Sequence, residues 1–78
     1  DHDCRIGDFV HVSPGARLGG GVSVGDGSWI GLGASVINNC RIGRNVIVGL
    51  GAAVIEDVPD SWVVAGNPAR FLRMNEEG

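Results

Sequence analysis

Aliphatic side chains recur along this chain at a fixed step of six, as Ile6, Val12, Leu18, Val24, Ile30, Val36, Ile42, Val48 and Val54, without an interruption. Four positions after each comes a small or medium-sized uncharged residue, in the series Val10, Ala16, Val22, Ser28, Ala34, Cys40, Val46, Ala52 and Val58. The residue directly after the aliphatic one is glycine at Gly7, Gly19, Gly25, Gly31, Gly43 and Gly49, which reads as a place where the backbone takes angles barred to other residues. A period of six matches neither an amphipathic helix nor a long alternating strand. It matches a very short strand followed by a bend, repeated with both columns turned inward. Three such units close a triangular turn, so residues 18 apart stack on one another, and residues 6–59 supply nine hexads, or three turns of an all-β parallel solenoid. Successive turns then lie about 4.8 Å apart, the spacing of hydrogen-bonded strands.

The period fails after Pro59, which divides the chain into a solenoid at 1–59 and a different segment at 60–78. Residues 60–65 read as one more extended strand, and Gly66, Asn67 and Pro68 break it. Residues 69–74 are expected to form a short helical turn and 75–78 a frayed tail. At the other end, Cys4 already occupies the small inward column, so the register starts before Asp1 and an amino-terminal domain of a parent protein is expected to be missing.

With 14 Gly in 78 residues, 44% hydrophobic and only 19% charged residues, the composition fits a folded, glycine-bent chain and not a disordered one. No apolar run approaches the roughly 18 residues that span a bilayer, so no membrane partner is expected. A net charge of −3 with six scattered Arg argues against nucleic acid. Cys4 and Cys40 both fall in the inward column, two turns or roughly 9.6 Å apart, too far for a disulfide. They read as core thiols of a protein from a reducing, cytoplasmic compartment. A three-turn prism also buries little surface alone, so association is expected.

Only two histidines are present, in the stretch His2-Asp3-Cys4-Arg5-Ile6-Gly7-Asp8-Phe9-Val10-His11-Val12-Ser13. This stretch is similar to E-H-[DE]-C-x-I-G-x-F-x-H-[VI]-S of the bacterial sugar acyltransferases, which include N-acetyltransferases of nucleotide-linked amino sugars and the sialic acid O-acetyltransferase family. Val64 to Arg70 resembles the G-x-P-A-[KR] signature at the end of these solenoids. Together with the hexads, the resemblance to hexapeptide-repeat acyltransferases covers nearly the whole chain. It implies a left-handed β-helix, a homotrimer with prisms side by side, and acetyl-CoA as co-substrate with no metal. It places the general base at His2, with Asp3 as its acidic neighbour, and His11 and the Gly20 amide at the acetyl group and its developing oxyanion. Asp3 can orient His2 only where the backbone bends, since neighbours on a strand point to opposite faces. The cofactor is expected along Gly20, Leu32, Leu50, Gly51 and Ala52, with Asn67, Pro68 and Arg70 near its far end.

The stacking rule puts Gly20, within the triplet Gly19-Gly20-Gly21, over His2, and it sets His11 half a turn away from both. A site that uses His2 and His11 together must therefore lie at a subunit boundary. With no activated thiol, transfer is expected to be direct, from acetyl-CoA to the amine of a nucleotide-linked amino sugar. The alternatives are transfer to a sugar hydroxyl and a non-catalytic interaction solenoid. A zinc hydrase of the same repeat needs three histidines, and this chain has two.

Overall fold

In the computed structural model, which describes residues 3–76, the hexad period is carried by the backbone itself. Nine strands of two residues follow one another at six-residue intervals: β1 (Arg5–Ile6), β2 (His11–Val12), β3 (Arg17–Leu18), β4 (Ser23–Val24), β5 (Trp29–Ile30), β6 (Ser35–Val36), β7 (Arg41–Ile42), β8 (Ile47–Val48) and β9 (Ala53–Val54). Each ends on the aliphatic residue of its hexad. A first face is made of β1, β4 and β7, a second of β2, β5 and β8, and a third of β3, β6 and β9. Within each face the pairing is parallel, with Arg5 opposite Ser23, His11 opposite Trp29 and Arg17 opposite Ser35, so one turn advances 18 residues as expected.

The bends come from a different column than the sequence suggests. In the solenoid the left-handed residues are Asp3, Phe9, Gly15, Gly21, Gly27, Gly33, Asn39, Asn45, Gly51 and Ser61, each three places after an inward aliphatic residue except Asp3, which stacks under Gly21 and Asn39. Apart from Phe9 and Ser61 these are the types that tolerate positive φ. The glycines directly after the aliphatic residue answer to close approach instead. A Cβ on Gly19 would overlap the Oδ1 of Asn38 and lie 2.6 Å from the Asn38 nitrogen, so only glycine lets the next coil descend to this spacing. That Oδ1 accepts a hydrogen bond from the Gly20 N–H (3.1 Å). Asp26 and Asp60 do the same for the N–H groups of Asp8 and Arg44, each at 2.8 Å. An Asx side chain on one coil thus satisfies a corner amide on the coil beneath, which the open corner would otherwise leave to solvent.

Both predicted inward columns meet in the core, where Val22, Ile30, Ala34, Val46 and Val48 are fully buried. Among the described residues the one buried polar side chain, Ser28, donates from Oγ to the Gly43 carbonyl (2.8 Å) and accepts from the Val46 N–H (3.0 Å). Cys40 is buried and Cys4 half-buried, and the two are not joined in a disulfide, as the column arithmetic requires. The first turn differs: Ile6 and Val12 point inward yet remain 45% and 41% exposed, because no strand among the described residues lies beyond β1 and β2.

After β9 the chain drops two residues. Val58 pairs with Ile42, and Val63 and Val64 pair with Ile47 and Val48, an offset of 16 in place of 18. Val58 therefore continues the aliphatic column of the first face, not the small column assigned from its hexad. The expected extra strand is β10 (Trp62–Ala65), the fourth rung of the second face. The expected helical turn at 69–74 is instead a strand, β11 (Arg70–Met74), antiparallel to β10. The reversal is made at Gly66, whose φ is +98°, with a cis Asn67–Pro68 bond after it. The hairpin folds Trp62 against Phe71, ring centroids 4.7 Å apart, over the end of the prism. Asn75 is part of this cap and not a frayed end: its N–H donates to the Ser61 carbonyl (2.6 Å) and its Nδ2 to that of Asn45 (2.9 Å).

Candidate active site

The three corners of the prism differ in chemistry. The first joins β1 to β2 and its repeats at 7–9, 25–27 and 43–45. The second joins β2 to β3 at 13–15, 31–33 and 49–51, and the third joins β3 to β4 at 19–21, 37–39 and 55–57. Gly20 and Asn38 are stacked at the third corner. His2 itself lies outside the described residues. Asp3 is left-handed, with φ 61°.

Gly20 is not an idle donor. Its N–H is given to Asn38 Oδ1 and its carbonyl accepts from the Asn39 N–H at 2.9 Å. A carbonyl arriving at this corner would share that N–H with Asn38. His11 is on the second face, across the prism from the third corner. Its N–H donates to the Ser28 carbonyl (3.0 Å), and its ring lies on Trp29 with centroids 4.5 Å apart and planes tilted by 37°. One chain therefore does not bring His11 together with Gly20. The aromatic platform of Trp29 escaped the sequence reading, although its position 18 after His11 was a usable signal.

Leu32 and Leu50 stack along the second corner, both exposed, with the Gly51 N–H donating to the Leu32 carbonyl at 2.8 Å. Beside them Gly33 and Gly51 are left-handed, and a Cβ built on either would meet nothing within 4 Å. The result is a thin apolar strip with open backbone alongside, a shape suited to an extended arm of small cross-section. Gly66, followed by Asn67 and Pro68, continues this corner upward, its carbonyl accepting from the Ala53 N–H at 2.9 Å. Ala52 borders the strip through backbone only, since its side chain is in the core. Arg70 faces elsewhere: it lines a cavity of about 260 Å³ over the last turn with Ile55, Glu56 and Phe71, and its Nη1 donates to the Ala69 carbonyl at 3.2 Å.

Burial, and after it the Asp57 and Glu56 carboxylates, push the Cys40 thiol above its ordinary value, so it is a poor nucleophile. No group of three His, Cys, Asp or Glu among the described residues is placed to hold a metal ion. No helix is long and apolar enough to cross a membrane.

No protein-family model matches the chain. Among curated proteins it is similar to the acyl-[acyl-carrier-protein]–UDP-N-acetylglucosamine O-acyltransferase of Burkholderia thailandensis, 36% identical over 99% of this chain and 29% of that enzyme. Among solved structures, PerB of Caulobacter crescentus in complex with CoA and GDP-perosamine superposes with a TM-score of 0.92 at 46% identity, covering 94% of this chain and 35% of PerB. The acetyltransferase domain of PglB from Neisseria gonorrhoeae with acetyl coenzyme A gives 0.91 at 47% identity, covering 92% of this chain and 35% of that domain. The chain thus spans about a third or less of the relatives it matches. With its unbroken hexads, its 18-residue winding and these likenesses, the chain belongs to the hexapeptide-repeat left-handed β-helix acyltransferase family.

Proposed function

We propose that this chain is the catalytic β-helix of an acetyl-CoA-dependent acetyltransferase that acts on the amino group of a nucleotide-linked sugar. The observation that carries the reading is its 46% identity, over 94% of its length, to an enzyme solved with CoA and GDP-perosamine. Further solved forms of that enzyme have one histidine replaced by Asn or Ala, in complex with the same two ligands. In this reading His2 takes the proton from the acceptor amine as its nitrogen bonds to the acetyl carbon, and returns it to the departing thiol. Asp3 holds His2. His11 and the Gly20 N–H face the acetyl oxygen, with the N–H shared between that oxygen and Asn38. Because His11 and Gly20 lie across the prism from each other, the complete site is formed between two subunits of a homotrimer. The strip of Leu32, Leu50 and Gly51 fits the pantetheine arm, with the Ala52 backbone beside it and Asn67 and Pro68 toward the far end, whereas Arg70 turns to the cavity over the last turn. Both substrates belong to cytoplasmic metabolism.

Acetyl transfer to a sugar hydroxyl is the second reading, favoured by the 36% identity to O-acyltransferases. Titration with acetyl-CoA followed by transfer to GDP- or UDP-linked amino sugars tests both. His2→Ala should bind acetyl-CoA but lose transfer by at least about a hundredfold, and Gly20→Val should lose both. Hydroxylamine releases the label from an ester and leaves an amide intact, which separates O- from N-acetylation. Wild-type protein that assembles but fails to bind acetyl-CoA would overturn the proposal and leave an interaction solenoid.

A further inference from the structure

We propose that the first face carries a diphosphate-binding site made by Arg5, Ser23 and Arg41. These three residues occupy one outward column, Arg5 paired with Ser23 and Ser23 with Arg41 along β1, β4 and β7. They line one open depression of about 480 Å³, together with Asp3, Gly21 and Asn39. Among the described residues neither guanidinium nor the Ser23 hydroxyl has a hydrogen-bond or ion-pair partner, whereas Arg70 and Arg73 give theirs to backbone carbonyls. This is also where two arginines share a column, for Arg17 stacks on Ser35 and Ala53.

The spacing selects the ligand. Two rungs separate the arginine backbones by about 9.6 Å, wide for one phosphate and suited to two linked phosphates lying across the hydroxyl. Each guanidinium presents a planar fork that matches phosphate oxygens in pairs. Asp3 opposes an anion at the outer rim, and Asp57 Oδ1 is occupied by the Arg41 N–H at 2.8 Å. The ligand therefore lies along the arginine column and away from Asp3.

Two biological molecules of the proposed reaction contain a linked diphosphate: the nucleotide-linked acceptor and coenzyme A. The position favours the acceptor. Ser23 follows Gly20 by three residues, so a sugar reacting at the third corner sets its diphosphate on the first face. The apolar strip at the second corner lies on the opposite side of the prism. This assignment of the source rests on the proposed acetyl transfer, but the anion site does not.

Inorganic diphosphate titrated calorimetrically onto the assembled chain at low salt tests the site. Binding should weaken as salt rises. Arg5→Gln and Arg41→Gln should each weaken it about tenfold, and Arg41→Lys nearly as much, because it keeps the charge and loses the fork. Arg17→Gln, on the third face, should stay within about twofold. All three positions point outward, and unchanged melting temperatures confirm folding. Equal affinity in wild type and both first-face variants, or an equal loss with Arg17→Gln, overturns the site. GDP and CoA identify the source: loss of GDP affinity with CoA unchanged supports the acceptor, and the reverse overturns that assignment. If wild type binds diphosphate but not acetyl-CoA, the transferase reading fails while the site holds.

Discussion

The first and middle turns of the prism are built from the same columns, yet they are buried very differently. Ile6 and Ile30 both end a two-residue strand and both turn inward, but Ile6 is 45% exposed and Ile30 is 0% exposed. Ile30 has Val12 on one side and Val48 on the other, while Ile6 has only Val24. A repeat column therefore sets the direction of a side chain, and burial follows only when coils cover it from both sides. The far end shows the other solution, where β10 and β11 bring Trp62 and Phe71 over the last coil.

Replacing matched residues at the two places is the strongest test. Ile30→Ala should cost about 3 kcal/mol and Ile6→Ala under about 1 kcal/mol by urea denaturation; equal losses would abolish the contrast. Trp62→Ala should remove about 2 kcal/mol, since this side chain is only half-buried, and amide exchange should speed up first in β10 and β11. Phe9 acts in the opposite direction. It is 93% exposed and holds φ at 61°, so Phe9→Gly should raise stability by about 0.5–1 kcal/mol, read as a higher denaturation midpoint.

The smallest effect is pH-dependent. Cys40 has its pKa raised in the fold, so its contribution is fully present below the unfolded thiol pKa, about 8.5, and is lost as pH rises through the folded value. Wild type should lose stability relative to Cys40→Ala over that alkaline range, and alkylation should reach Cys4 well before Cys40. Simultaneous labelling of both thiols would contradict the burial of the second column.

Much of this was legible because a six-residue period leaves few other solutions. The 18-residue register, the two inward columns, the lack of a Cys4–Cys40 disulfide and the separation of His11 from Gly20 all follow from counting. The left-handed column was equally visible in Gly15, Gly21, Asn39 and Asn45, but the glycines next to the aliphatic residues drew the attention that belonged to it. Their reason, an Asx oxygen arriving from the coil above, is a contact between residues 19 apart, such as Gly19 and Asn38, and local propensity says nothing of it. The segment 69–74 misled for a related reason: its composition permits a helical turn, and only pairing with Trp62–Ala65 makes it a strand.

Asp26, Asn38 and Asp60 index one coil against the next like the teeth of a ratchet. A single residue inserted inside a strand would slip a tooth and turn an aliphatic side chain outward together. The two-residue drop between Val54 and Val58 is accommodated at a corner, after which Asp60 engages the Arg44 amide again. Elongation that leaves every tooth engaged adds a whole coil, which makes the height of such a prism a counted quantity and not a continuous one.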